Sequence, residues 1–188
     1  MQPARLLSWS FAGFSEGDAV KEAAFWAIIE SGGPYPLDSQ DEHLGSVREQ
    51  LLALAPKEVQ AFYKMFCERM IESQSWDMWG AAYLINGGCS DDGFVYFRAW
   101  LIAQGRAVFK AALANPDSLA TVVEADRDDH EFEMLYALPQ EVYEEASGKE
   151  MPDIELDWPS DPTGKRWDFD DDAAVARRFP QLAAGRLD

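Results

Sequence analysis

Apolar residues recur at spacings of three and four along almost the whole chain, and the strict alternation of a half-buried strand is scarce. The pattern predicts an all-α protein, a single-domain helical bundle of about eight helices. Phe25, Ile28 and Ile29 share one face of a first helix, with an N-cap region at Ser15 to Asp18 and a stop at Gly32-Gly33-Pro34. The linker "GGPYPL" excludes helix. Asp38 with Asp41 opens a second helix striped by Leu44, Val47, Leu51 and Leu54. Pro56 suits the first turn of a third, in which Val59, Phe62, Tyr63, Phe66 and Met70 repeat at helical spacing, and the two are expected to pack antiparallel. Ser75 begins a fourth helix with Trp76, Trp79 and Tyr83 on one side, and Gly87 is placed to end it in a left-handed cap.

Residues 90–104 form a fifth helix that is apolar nearly all round, the mark of a buried helix, so they are expected at the centre of the bundle. Beyond Gly105 the pattern predicts a short helix, a restart at Asn115-Pro116 carrying Leu119, Val122 and Val123, and a helix with Phe132, Leu135 and Tyr136 that Pro139 kinks or restarts. Residues 149–166 hold Pro152, Pro159, Pro162 and Gly164 with little periodicity, predicting an extended, acidic surface segment tacked down by Trp158. A final helix is expected over 167–180, its acids at the start and arginines at the end matching the helix dipole. Residues 1–17 read as an N-terminal extension and 18–188 as one helical domain.

Composition supports one core. The 188 residues are 47% hydrophobic and 13% aromatic, which excludes intrinsic disorder for the body of the chain. The formal net charge of -18 is uneven: residues 1–123 hold 15 acids and 9 bases, residues 124–188 hold 19 and 7. Such a field repels nucleic acid and anionic membranes, so neither is expected as a partner, whereas a basic protein is compatible. Cys67 and Cys89 are the only cysteines and lack metal-site spacing, which suits reduced thiols and a cytoplasmic location. No apolar run approaches 18 residues, and the N-terminus lacks a signal-peptide cleavage pattern.

Chemistry concentrates in "NGGCSDDGFVYFRAWLIAQG", residues 86–105. With Ser90 as N-cap, Asp91 and Asp92 meet the exposed amides and the positive end of the dipole, which accounts for their type as helix architecture. Gly93 inside the helix costs up to about 1 kcal/mol, implying either a closely crossing neighbour or a ligand against that turn. Arg98 sits among Phe94, Leu101 and Ile102 and requires an acceptor. Asp91, two turns back and roughly 10 Å away along the axis, is the favoured partner, with Glu30, Asp77 or a helix C-terminal carbonyl as competitors. In a functional reading, Asp91, Asp92, Tyr96 and Arg98 line a ligand pocket walled by Trp79 or Trp100.

His43 reads as a surface residue, and His130 lies in the acidic run "EADRDDHEFE", where carboxylates favour its charged form. That run lacks the glycine and spacing of a calcium loop, so no metal site is expected. No nucleophile-elbow, zinc-protease, P-loop or dinucleotide motif occurs, and no cofactor is implied.

The block "WGAAYLINGGCSDDGFVYFRAWLIAQGRAVFKAALANPDSLA", residues 79–120, together with "FWAIIE", "ASGKEMP" and "FPQL", resembles the bacterial domain-of-unknown-function family 4240 over residues 18–182. The resemblance implies membership and carries over no catalytic residue. Two functions remain in view: a non-enzymatic, immunity-like interaction or regulatory module for a basic partner, and a small enzyme or ligand or metal sensor with its pocket at the helix that begins at Ser90.

Overall fold

The computed structural model describes residues 22–33, 40–124 and 127–184. The expected extension 1–17, the cap region Ser15 to Asp18, and Asp38 lie outside these residues. The described residues form nine α-helices and two 3₁₀ helices with no strand, an all-α architecture.

The first two helices, α1 (Glu22–Ile29) and α2 (Gln40–Leu52), pack on each other, with a 3₁₀ turn at Glu30–Gly32 closing α1. Phe25, Trp26, Ile28 and Ile29 are buried from α1, Val47 and Leu51 from α2. His43 contradicts its surface assignment: it is 1% exposed, wedged beneath Gly32 and edge-on to Phe132, where burial lowers its pKa. A Cβ on Gly32 would lie 2.6 Å from the His43 ring, so this glycine is packed, not merely a linker.

Pro56 starts α3 (Pro56–Glu72), and the carboxylate of Glu58 accepts the Ala55 amide at 2.8 Å. Ser75 caps α4 (Trp76–Ile85) by accepting the Met78 amide at 3.1 Å. Gly87 follows α4 at φ 64, the left-handed conformation that only glycine adopts without strain, as the sequence predicts. The central helix, α5 (Asp91–Ala103), buries Phe94, Phe97 and every residue from Arg98 to Ala103 against α3, α4, α6 and α7. The next helix, α6 (Arg106–Ala114), is capped in trans by Glu30, whose carboxylate accepts the Arg106 amide at 2.9 Å.

A 3₁₀ helix follows at Pro116–Thr121, and Pro139 interrupts nothing, since α7 runs unbroken from Glu133 to Ser147. Its missing N–H removes one bond of the ladder, while Leu135, Leu138 and Val142 stay buried and supply the packing that holds the turn. Residues 150–171 carry no helix, so the expected helix over 167–180 begins later, as α8 (Asp172–Arg178), and a separate α9 (Pro180–Ala184) follows. The reason is local. Asp171 is the N-cap, accepting the amides of Ala173 and Ala174 at 3.0 and 3.1 Å, and the Trp167 indole packs directly against Gly80. Trp158 does not tack the segment down: it is 44% exposed. Trp167, with its indole N–H on Asp77 at 3.0 Å, and the backbone bonds of Thr163 to Gln74 and of Trp76 to Thr163 hold it instead.

Candidate functional site

At the start of α5 the Ser90 hydroxyl accepts the Gly93 amide at 3.0 Å, and Asp91 and Asp92 are exposed in the first turn. Gly93 is crowded by Glu131, whose carboxylate would stand 3.0 Å from an added Cβ. The chain that needs its space is the loop before α7. Burial raises the Glu131 pKa, with the nearby charges of Asp129 and Glu133 adding to it. The Tyr96 hydroxyl donates to Glu133 at 3.0 Å. His130 is 1% exposed, its ring edge-on to Trp100 and its Nε2 accepting the Glu124 amide at 3.2 Å, so it packs inside and not among solvated carboxylates. Among the described residues no group of three or more His, Cys, Asp or Glu is placed to hold a metal ion.

Arg98 does not reach Asp91. Its Nε donates to the Phe94 carbonyl one turn back at 3.1 Å, and its Nη1 donates to the Met70 carbonyl near the end of α3 at 2.7 Å and to Gln74 at 3.5 Å. The acceptor is therefore a helix C-terminal carbonyl. Burial lowers the guanidinium pKa to about 10. Of the two carboxylate competitors, Asp77 pairs with Arg178 at 2.6 Å and Glu30 caps α6.

Trp79 and Arg98 meet through Phe94 in a five-layer column. Arg166 lies 5.0 Å from the centre of Trp76; Trp76 stacks on Trp79 at 5.5 Å and 5°; Trp79 stacks on Phe94 at 4.8 Å and 9°; the Arg98 guanidinium lies 4.5 Å from Phe94. Two cations thus clamp three rings, one end at the surface and one in the core. Trp79 also donates its indole N–H to the Cys89 carbonyl at 3.1 Å. The structure makes Trp79 part of a stack, and Trp100, 1% exposed, part of the core.

A cleft of about 320 Å³ opens elsewhere, between α3, α7 and residues 151–158, and none of the six residues singled out in the sequence lines it. Tyr63 and Cys67 of α3 and Tyr136 and Gln140 of α7 form one wall; Asp153 and Trp158 belong to the other. Burial raises the Cys67 thiol pKa to about 11 and, with neighbouring Cys67 and Tyr136, raises that of Tyr63, so both are neutral hydrogen-bonding groups at pH 7. The sequence holds one faint signal of this cleft. In "DIELDW" acids alternate with apolar residues, and the structure turns Ile154 and Leu156 inward and leaves Asp153, Glu155 and Asp157 exposed.

The same segment carries most of the local charge. Residues 149–172 hold nine acids and three bases, and all nine acids are exposed. Among the described residues none of the nine is ion-paired: Arg178 is engaged by Asp77, Arg48 by Glu145 and Arg127 by Asp129, and Arg166 stacks on Trp76.

No helix of the described residues is long and apolar enough to cross a membrane. No curated protein and no solved structure matches the chain. The profile of the family described as "Protein of unknown function (DUF4240)" matches residues 20–145. That region takes in α1 to α5, the crowded turn at Gly93 and most of α7, and it ends ahead of the acidic segment and of the late "ASGKEMP" and "FPQL" stretches. The chain belongs to the DUF4240 family.

Proposed function

We propose that this protein is a non-enzymatic interaction or regulatory module, of the general kind that immunity proteins represent, and that it recognises a basic protein partner through its acidic segment at residues 150–172. The observation that carries this reading is nine exposed carboxylates, eight of them on residues 150–171, which carry no helix, and the ninth, Asp172, at the first position of α8, none of them ion-paired among the described residues. Like charges crowded on one stretch repel each other, and a cationic partner relieves that repulsion while being steered toward it. The segment is tethered at Gln60 to Pro152, at Gln74 to Pro159 and at Thr163 to Gln74, so the acids are displayed on a fixed support.

The test is titration of the full chain with a short lysine- and arginine-containing peptide at about 0.05 M and about 0.5 M salt. Binding is expected at low salt, weakening as salt rises, and weakening again when Asp153, Glu155 and Asp157 are replaced together by Asn, Gln and Asn. No binding at low salt, or binding indifferent to both changes, overturns the proposal.

A further inference from the structure

We infer that the cleft between α3, α7 and residues 151–158 is the socket for one arginine or lysine side chain of that basic partner, an inference that rests on the interaction reading above. The cleft's 320 Å³ is at the small end of ligand sites, enough for a single long side chain. Its lining contains no Lys or Arg, and it includes the acidic residue Asp153, with Glu150, Glu155 and Asp157 exposed on the same stretch of chain. An anion would enter against this field, and a cation with it.

The walls suit the stem of such a side chain as well as its head. Met151, Ile154 and Leu156 line it with apolar residues suited to methylenes, and Tyr63, Tyr136 and Trp158 supply the aromatic rings to which a cation is drawn. Trp158 stands out here. Among the described residues it is one of three large apolar side chains that are substantially exposed, the others being Leu52 and Met134, and it has no stacked ring and no overlying cation there. Elsewhere the chain puts its own guanidinium groups over rings, Arg98 on Phe94, Arg166 on Trp76 and Arg178 on Trp167. At Trp158 that position is open to a partner's cation. Arg98 itself does not compete, since it is buried over Phe94 and absent from the lining.

A double-mutant cycle tests the socket. One axis is Trp158→Ala in the full chain; this side chain is half exposed, and the thermal midpoint checks that the variant folds. The other axis is a lysine- and arginine-containing peptide against the same peptide with its central arginine replaced by norleucine. Coupling between the two changes of about 2- to 30-fold in affinity is expected, with the salt dependence retained in Trp158→Ala. If the peptide binds and the coupling is absent, the socket is overturned and the interaction reading stands. If no peptide binds, the interaction reading fails. N-acetyl-arginine amide, followed by tryptophan fluorescence in wild type and in Trp158→Ala, then decides the socket by itself: saturable quenching present only in wild type upholds it, and its absence overturns it.

Discussion

A buried guanidinium without a carboxylate must draw on backbone oxygens, and spare backbone oxygens exist where helices end. Arg98 uses both kinds within reach: the Phe94 carbonyl on its own helix and the Met70 carbonyl in the last turn of α3, where the dipole is negative. The side chain leans toward the N-terminus of its helix, as helical side chains do, which lays it over the Phe94 carbonyl and ring, and its Nη1 is taken up by the Met70 carbonyl of α3 before it can extend a further turn to Asp91. From the sequence, the need for an acceptor was legible because Arg98 is surrounded by apolar neighbours; the acceptor was not, because a carbonyl belongs to every residue and has no letter of its own. His43 failed for a related reason. Its helix is amphipathic, and only the fold brings Gly32 and Phe132 over it. Replacing Arg98 by Ala leaves the Met70 carbonyl and Gln74 without their charged donor and opens space above Phe94, so a loss of about 2–4 kcal/mol is expected in urea denaturation. Arg98→Met, which keeps the stem's packing, is expected to lose less. A loss under about 1 kcal/mol in Arg98→Ala contradicts this role.

At the scale of elements, periodicity served wherever a helix has one buried face. It located the cores of α1 to α5, and the all-round apolar run of α5 placed that helix inside. At the C-terminal end the dipole-matched helix is present as α8, with Asp172 in its first turn and Arg177 and Arg178 in its last, but the expected start at 167 was too early because Trp167 and Asp171 have other partners. The decisive contact is with Gly80, buried in α4, which reads in the sequence as an unremarkable small residue. A Cβ there would lie 2.3 Å from Cζ2 of Trp167, and the ring cannot give way cheaply because its N–H is bonded to Asp77 and the Arg178 guanidinium lies 4.8 Å from it. Gly80→Ala is therefore expected to push the ring off α4 and cost about 1–3 kcal/mol, although alanine is the better helix former. Limited proteolysis reads the same event as faster cleavage between residues 160 and 171. A variant as stable and as protease-resistant as wild type would show that the tail is held by its backbone bonds alone.

For the whole molecule, the cleft was the least legible feature, because its α3 residues lie far in sequence from those of α7 and 151–158 and its residue types, Tyr, Cys, Gln and Trp, form no motif. Charge was the most legible, and its distribution sets two salt effects of opposite sign. Within the chain, nine exposed acids on residues 149–172 repel one another and favour release of the segment from the helical body. The screening length falls from about 30 Å at 0.01 M salt to roughly 8 Å at 0.15 M, so added sodium chloride relieves that repulsion while leaving Ile154, Leu156 and Trp167 packed. The thermal midpoint is accordingly expected to rise by roughly 2–4 °C over that range, equivalent to about 1 kcal/mol for a chain of this size. Replacing Glu155 and Asp157 by Gln and Asn is expected to raise the midpoint at 0.01 M and shrink its salt dependence. The same screening weakens the attraction for a basic partner, so stability should climb as affinity falls. A midpoint that is flat or declines with salt would mean that the acids are spaced widely enough to ignore one another, and it would remove repulsion as the reason for the segment to seek a cation.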